Sequence, residues 1–257
     1  MTDDGSVSFT VDDNGVAMVE FHRGRANYFT AALIGKIADA YAEAAANPAS
    51  RVIVLCAAGR HFCAGLDFGT TGDIEPSVAS IYGEGLRLFE PSLPVIAAVQ
   101  GAAIGGGLGL AMSADFRIGA PDARVSANFA RIGIHHGFGL SVTLPRAVGV
   151  QKASDLLLSA RAIDGREAAT LGVFDRVSAS AASLRDEAIA WATEFARAAP
   201  LAVRSIRQTL RGPDLATRVR TALEHELAEQ VALFGTGDFA EGVAAAAERR
   251  PAVFLGR

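Results

Sequence analysis

Lysine is nearly absent from this chain of 257 residues, and cysteine is almost as scarce. Lys36 and Lys152 are the two lysines, so a Schiff-base mechanism is disfavoured and arginines must supply any contacts to phosphate. The two cysteines, Cys56 and Cys63, have neither metal-ligand nor disulfide-framework spacing. We therefore expect no metal site and a protein of a reducing compartment.

The chain also has no excess of positive charge and no evident targeting segment. Its formal net charge of -4 gives no electrostatic case for nucleic-acid binding. The start, residues 1–5, is polar and acidic, without the basic and apolar regions of a secretory signal. The run 95–114 is apolar enough to resemble a membrane span, but Pro94 and five glycines favour a strand, a tight turn and a helix start. We expect a cytoplasmic protein with no membrane or nucleic-acid partner.

Hydrophobic periodicity predicts an α/β fold in which strands alternate with helices. Residues 7–11 and 16–21 form a predicted hairpin through Asn14-Gly15, a strong turn signal. A helix is predicted over 30–46 with Thr30 as its cap, followed by strands at 51–56 and 95–99 with a helix over 78–90 between them. After about residue 180 the pattern becomes almost wholly helical. We therefore predict a core over 1–180 and an appended helical region over 181–257.

Two glycine-containing segments carry the strongest functional signal. One is Gly-Ala-Ala-Ile-Gly-Gly-Gly-Leu-Gly at 101–109, and the other is Phe-Cys-Ala-Gly-Leu-Asp at 62–67. Glycine has no Cβ, so backbone amides at such turns can approach an anionic oxygen closely. Two such amides that share one oxygen would stabilise an oxyanion. The alternative is that each segment merely allows close packing.

These two segments resemble the crotonase superfamily, also called the enoyl-CoA hydratase/isomerase family. Further segments of the chain match that family in their order and spacing. The resemblance extends over nearly the whole chain and implies a spiral of ββα units with a C-terminal helical trimerisation region. The further matching segments include Arg-Val-Ile-Val-Leu at 51–55, Pro-Val-Ile-Ala-Ala-Val-Gln-Gly at 94–101, Asp-Phe-Arg-Ile at 115–118, Leu-Pro-Arg-Ala-Val-Gly at 144–149 and Asp-Phe-Ala-Glu-Gly at 238–242.

The resemblance assigns the two oxyanion-hole amides to Leu66 and Gly106. It also shows where this chain departs from the family's hydratases. One catalytic glutamate of those enzymes falls on Gly109, and the second falls on Phe129 in the pair Asn128-Phe129. Neither residue can activate water or return a proton to carbon. We therefore expect an enzyme that is not a standard hydratase.

His135 and His136 are the predicted proton carriers. By the resemblance, position 136 carries an aspartate in the naphthoate-forming synthase, and position 137 carries one in chlorobenzoyl-CoA dehalogenase and dienoyl-CoA isomerase. Histidine titrates near neutral pH and can replace such a carboxylate. In an extended segment successive side chains point oppositely, so we expect only one imidazole to face the pocket. The alternative is that both rings satisfy backbone carbonyls around a glycine-rich turn.

Tyr82 is a further catalytic candidate, because the resemblance aligns it with a pocket histidine of the dehalogenase. It lies in a predicted helix whose apolar positions recur at helical spacing, so ordinary packing is the alternative. Glu84 and Glu90 in the same segment are possible replacement carboxylates, although a solvated helix face also explains them.

Coenzyme A contacts are implied by the resemblance at two segments, and CoA then enters as part of the substrate with no separate cofactor. Arg25 and Ala26 match the segment that borders the adenine and phosphates, and the alternative for Arg25 is a surface arginine without a fixed partner. Ala64, Gly65 and Asp67 border the adenine and pantetheine path. Near the C-terminus, Arg249 replaces a lysine common in the family.

The sequence thus predicts an enzyme that binds an acyl-CoA substrate and stabilises a thioester enolate or oxyanion. Its reaction is of lyase, isomerase or hydrolase type. A non-catalytic acyl-CoA carrier or sensor is the alternative, and an enzyme that acts on a free ketone is a third possibility. By the resemblance we expect a homotrimer or a hexamer.

Overall fold

A computed structural model describes residues 4–69, 71 and 73–257 of the chain. Residues 1–3, on which the expectation of no secretory signal largely rests, lie outside the described residues, as do Thr70 and Gly72. The described residues form nine strands: β1 (Ser6–Val11), β2 (Val16–His22), β3 (Val52–Ala57), β4 (Val95–Val99), β5 (Ala102–Ile104), β6 (Phe116–Gly119), β7 (Arg124–Ser126), β8 (Ala162–Asp164) and β9 (Arg176–Val177).

The strands lie in two sheets. The larger has the order β1-β2-β3-β4-β6-β9, and all of its pairs are parallel except β1 with β2. That antiparallel pair is the predicted hairpin, and Gly15 adopts a φ of 82° in its turn. The smaller sheet has the order β5-β7-β8. Every residue of β3 and β4 is buried, which explains their continuous apolar sequences.

The described residues also form ten α-helices and one 3₁₀ helix. Thr30 caps α1 as predicted, because its hydroxyl accepts the Leu33 N–H at 3.2 Å. The bounds are α1 (Ala31–Ala46), α2 (Ile74–Arg87), α3 (Gly106–Ser113), the 3₁₀ helix (Asn128–Ile132), α4 (Leu140–Val148), α5 (Val150–Ser159), α6 (Gly165–Leu171), α7 (Leu184–Ala196), α8 (Pro200–Arg211), α9 (Leu215–Phe234) and α10 (Gly237–Glu248).

Alternation of strands and helices through the first two thirds of the chain confirms the α/β prediction. The helix predicted over 78–90 begins four residues earlier, at Ile74, because Pro76 is compatible with a first helical turn. The apolar run 95–114 contains the predicted strand, β4, and the predicted helix start, at α3, together with a short second strand, β5, that was not predicted. In the part of the chain that the structure describes, no helix is both long and apolar enough to cross a membrane.

The last third is helical after β9, as the sequence predicted. Its first helix, α7, packs against β3 and β4, and α9 packs against α2 and α4. The predicted division at residue 180 and the role of residues 181–257 in oligomerisation stay predictions.

Candidate functional site

The two glycine-containing segments lie side by side. Cys63 forms a parallel bridge with Ala103, in which the Cys63 N–H donates to the Ala102 carbonyl at 2.9 Å and the Ile104 N–H donates to the Cys63 carbonyl at 3.0 Å. Gly65 has a φ of 84°, and a Cβ on it would lie 2.8 Å from the Ile104 carbonyl oxygen. Glycine is therefore required at position 65 for the segments to come this close.

This arrangement brings the two predicted oxyanion donors together. A Cβ on Gly65, which precedes Leu66, would lie only 3.4 Å from the Gly106 nitrogen. Gly106 is the first residue of α3, where an amide has no intrahelical acceptor. Within the described residues, neither the Leu66 nor the Gly106 N–H donates to a protein acceptor. Two backbone donors are thus available to a ligand.

Both donors line a cavity of 520 Å³. We call Gly65, Leu66, Gly105 and Gly106 its backbone wall, and Tyr82, Phe138 and Gln230 its side-chain wall. Most of the remaining lining is apolar or aromatic, and Asp67 is its one carboxylate among the described residues. The other lining residues are Tyr28, Phe29, Ala64, Phe68, Gly69, Val78, Ile81, Ile104, Arg124, Asn128, Phe129, Ile132, Gly137, Val243, Ala246 and Ala247.

Phe138 occupies the space into which a side chain at position 109 would project. A Cβ on Gly109 would lie 2.6 Å from the Phe138 Cβ and 3.0 Å from its ring. Phe138 has a φ of 60°, an uncommon and mildly strained conformation for a bulky residue. Its ring packs against Phe29 at a centroid distance of 5.3 Å. The Phe138 ring therefore occupies the space beside position 109, where the resemblance places a glutamate, and Phe129 also lines the cavity.

Tyr82 lines the cavity and has a specific polar partner. Its hydroxyl donates to the Gln230 Oε1 at 2.9 Å, and the Gln230 Nε2 donates to the His135 carbonyl at 2.8 Å. Burial, followed by the nearby Glu226 charge, raises the pKa of Tyr82 far above its usual range. The phenol therefore stays neutral at physiological pH. Glu84 and Glu90 do not line the cavity, and Glu84 pairs with Arg87.

His135 and His136 lie beside the cavity but are not part of its lining. The expectation that the two rings point in opposite directions is wrong: they stack with centroids 4.0 Å apart, because this segment is not an extended strand. The His135 Nδ1 lies 2.7 Å from the His136 carbonyl oxygen. This is the kind of contact expected under the alternative that the rings satisfy backbone carbonyls. Their catalytic roles stay predictions.

His136 belongs to a second polar cluster behind the side-chain wall. Its Nε2 lies 2.8 Å from the Ser141 Oγ. Burial, followed by the neighbouring His135 and His225, lowers the pKa of His136 to about 4. Glu226 accepts the N–H groups of Gly139 and Ser141 at 2.8 and 2.9 Å, at the start of α4. Burial raises the pKa of Glu226, and these hydrogen bonds partly oppose that effect.

The sequence prediction did not include Glu226 and Gln230. Both lie on α9 and are buried, Glu226 completely and Gln230 with 3% exposure. They are four residues apart and continue the buried stripe formed by Val219 and Leu223. Polar residues on an otherwise apolar helical stripe are the signal that would have revealed them.

The predicted CoA segments are adjacent in the structure. The Ala64 N–H donates to the Ala26 carbonyl at 3.0 Å, and Asn27, with a φ of 50°, holds this turn through hydrogen bonds to the Ala58 and His61 carbonyls. Ala64, Gly65 and Asp67 line the cavity, whereas Arg25 is exposed outside it. Their contacts to CoA stay predictions.

A second cleft, of 1240 Å³, adjoins the cavity and shares Ile104, Arg124, Asn128, Ile132 and Ala246 with it. It is rich in arginines, and Asp122 is its one acidic residue among those described. Its basic residues are Arg60, His61, Arg124, Arg131, Arg249 and Arg250. Among the described residues, no group of three or more His, Cys, Asp or Glu side chains is arranged to hold a metal ion.

Comparisons with known proteins identify the class to which this fold and site belong. Residues 12–257 match the family model described as enoyl-CoA hydratase/isomerase. The chain belongs to the enoyl-CoA hydratase/isomerase family.

Among its relatives, a protein of Bacillus subtilis named "Probable enoyl-CoA hydratase" is 31% identical over 98% of this chain and 99% of its own length. The mevalonyl-coenzyme A hydratase SIDH of Beauveria bassiana is 34% identical over 77% of this chain and 75% of its own length.

A solved structure with the same fold is an enoyl-CoA hydratase/isomerase from Pseudoalteromonas atlantica T6c. It superimposes with a TM-score of 0.82 at 28% identity, over 97% of this chain and all of that one. An enoyl-CoA hydratase from Mycobacterium avium subsp. paratuberculosis gives a TM-score of 0.83 at 27% identity, over 97% of this chain and 98% of that one. These likenesses confirm the predicted crotonase fold.

Proposed function

We propose that the protein is an enzyme that binds an acyl-CoA thioester and stabilises the enolate or oxyanion formed from it. The Leu66 and Gly106 amides hold the thioester oxygen. The observation that carries this proposal is the juxtaposition, on the wall of an apolar cavity, of two backbone donors that have no protein acceptor among the described residues. Each such donor is worth roughly 3–4 kcal/mol toward a developing oxyanion.

We further propose that the reaction is not the addition of water to a double bond. The relatives are named as hydratases, but the Phe138 ring fills the space beside Gly109 and Phe129 stands at the second carboxylate position. Water addition needs a group that removes a proton from water and a group that protonates carbon. The proposed reaction is of lyase, isomerase or hydrolase type, and its proton transfers would rely on groups other than the side chains at positions 109 and 129.

His136 is the proposed proton carrier. Burial lowers the pKa of His136 to about 4, so its imidazole is neutral at pH 7 and acts there as a weak base. The hydrogen bond between Gln230 and the His135 carbonyl connects this loop to the cavity lining. Arg25 and Arg249 are the proposed contacts to CoA phosphates, and Arg249 lines the adjoining basic cleft.

A binding screen against an acyl-CoA panel, followed by mass spectrometry of every ligand that binds, tests this proposal. We expect micromolar binding of at least one acyl-CoA and conversion of its acyl group. Binding without conversion would favour the acyl-CoA carrier or sensor, for which the absence of both hydratase glutamates is the supporting observation. Turnover of a free ketone without acyl-CoA binding would contradict both.

We also propose that the protein assembles as a homotrimer or a hexamer. Helix α8 has no buried residue, and its Leu201, Ile206 and Leu210 are 79%, 59% and 71% exposed, an apolar surface typical of an interface. Light scattering should give a mass near three or six times the 26.6 kDa of one chain. Ile206→Glu with Leu210→Glu should reduce this mass, whereas Leu158→Glu on α5 should not. A wild-type monomer would contradict the proposal.

A further inference from the structure

Tyr82 and Gln230 form a buried polar pair on an otherwise largely apolar part of the cavity. Tyr82 is 8% exposed and Gln230 is 3% exposed. Their neighbours in the lining are Val78, Ile81 and the Phe138 ring. Buried polar groups are costly unless they are satisfied by hydrogen bonds. The donors and acceptors that this pair leaves unused therefore indicate which ligand group could bind to it.

The His135 carbonyl fixes the orientation of the pair. A carbonyl oxygen only accepts, so the Gln230 Nε2 must face it, at 2.8 Å. The Gln230 Oε1 then faces Tyr82, and the phenol must donate to it, at 2.9 Å. One N–H of the Gln230 amide remains without an acceptor among the described residues, and the phenol oxygen still has lone pairs to offer, one of which faces the Phe138 N–H.

Gly137 gives this pair its room. A Cβ on Gly137 would overlap the Tyr82 hydroxyl oxygen and would lie 2.8 Å from the Gln230 Nε2. The pair therefore occupies the volume that a side chain at position 137 would take. In this chain the Tyr82 hydroxyl and the Gln230 amide, both uncharged, lie where a side chain at position 137 would lie.

The pair is separate from the oxyanion site. The Phe29 and Phe138 rings lie between the two: a Cβ on Gly106 would overlap the Phe29 ring, Phe29 packs on Phe138, and Phe138 packs edge-on against Tyr82 at 6.3 Å. With the thioester carbonyl at the proposed oxyanion site, a ligand group that reaches the pair would be carried by the acyl chain.

We propose that Tyr82 and Gln230 recognise a hydroxyl group on the acyl chain, beyond the carbons next to the thioester. A hydroxyl both donates and accepts, so it matches the free lone pair of the phenol and the free N–H of the amide. An anionic group is disfavoured, since Glu226 lies close to Tyr82 and the pair itself is neutral. This inference rests on the proposed function, namely that the cavity binds acyl-CoA.

The test measures the affinity of the full-length protein for matched acyl-CoAs by calorimetry. The probes are hexanoyl- and octanoyl-CoA, their derivatives with one hydroxyl at each carbon beyond C3, the corresponding ketones, and adipoyl-CoA as the anionic probe. We expect at least one hydroxyacyl-CoA to bind about tenfold more tightly than its unsubstituted parent, the effect of one or two neutral hydrogen bonds. Adipoyl-CoA should bind more weakly than hexanoyl-CoA.

Tyr82→Phe should abolish this tenfold preference, measured as the ratio of the variant's own affinities for the hydroxylated ligand and its unsubstituted parent. Gln230→Met should do the same by a different change, and so covers the case in which Tyr82→Phe does not fold. Tyr41→Phe is the matched control: Tyr41 is a buried tyrosine outside the cavity, and its hydroxyl has no partner among the described residues. It should leave the preference unchanged.

The possible failures are distinguishable. If unsubstituted acyl-CoAs bind but no hydroxyl derivative gains affinity, the recognition proposal is wrong and the proposed function stands. A preference for the ketones or for adipoyl-CoA, or a hydroxyl preference that survives both variants, also overturns it. If no acyl-CoA binds at all, the proposed function fails and this inference fails with it.

Discussion

The backbone wall and the side-chain wall of the cavity differ in what holds them in place. The backbone wall depends on glycines at positions 65 and 106, where a Cβ would approach the neighbouring segment closely or overlap Phe29. The side-chain wall depends on Tyr82, Phe138 and Gln230, which come from α2, the segment before α4, and α9. The first wall carries the two proposed oxyanion donors, whereas Phe138 of the second wall fills the space beside Gly109, where the resemblance places a hydratase glutamate. Under the proposed function, the chain preserves carbonyl activation and differs from a hydratase in its proton chemistry.

The largest expected effect concerns hydration. Because two acid–base groups are missing and each is worth about 10²–10⁴ in rate, hydration of crotonyl-CoA should be at least 10⁴-fold slower than by a family hydratase assayed alongside. Gly109→Glu should not restore it, since Phe138 already fills that space. A hydration rate within about a hundredfold of the reference enzyme's would contradict the proposed loss of acid–base groups. Asp67→Asn would then show whether the lining carboxylate is responsible.

His136→Ala tests whether the cluster behind the side-chain wall takes part in the chemistry. Once a substrate is found, turnover should fall by about 10²–10⁴, while acyl-CoA affinity changes by only a few-fold. A base must be neutral to act, so wild-type turnover should stay constant down to about pH 5 and fall as the pH drops through the His136 pKa of about 4.

His135→Ala should have a smaller effect, and His225→Ala is the control on the exposed third imidazole of this cluster. Equal turnover by the wild type and His136→Ala would exclude the histidine from the mechanism.

Substitutions at Gly106 test the backbone wall. Gly106→Pro removes the donor N–H, and Gly106→Ala keeps it, while both add atoms that overlap Phe29. The proline variant should therefore turn over its substrate about 10²–10³-fold more slowly than the alanine variant. Leu66→Pro and Leu66→Ala provide a second matched pair. If proline and alanine behave alike at both positions, the amides do not hold the oxyanion.

The smallest expected effect is on stability within the side-chain wall. Gly137→Ala should lower the free energy of unfolding by about 1–3 kcal/mol, because the new Cβ overlaps the Tyr82 hydroxyl. The loss should be smaller in a Tyr82→Phe background, although the ring carbon still lies 2.9 Å from that Cβ. Denaturant titration of the double-mutant cycle measures this coupling, and additive losses would contradict it. Gly83→Ala, with no atom within 4 Å of its Cβ, is the control.

The backbone wall could be predicted from sequence because its residues lie in two short segments with a fixed relation to adjacent strands. Gly65 and Gly106 have a local signature, and β4 is bounded as predicted. The side-chain wall had no such signature. Phe138 lies between Gly137 and Gly139. Its φ of 60°, which accompanies the placement of its ring beside Gly109, cannot be predicted from composition. Gln230 lies 148 residues from Tyr82, so only tertiary packing brings them together.

The two buried polar residues of α9 also matter for protein engineering. Glu226 holds the start of α4, and Gln230 contributes to the cavity lining, although both lie in the part of the chain expected to join subunits. Chimeras that exchange residues 181–257 between family members would therefore transfer ligand selectivity together with quaternary contacts. After recombination near residue 180, the proposed hydroxyl preference should survive only when the donor segment supplies an amide at position 230. The hydrogen bonds to the start of α4 should survive only when it supplies a carboxylate at position 226.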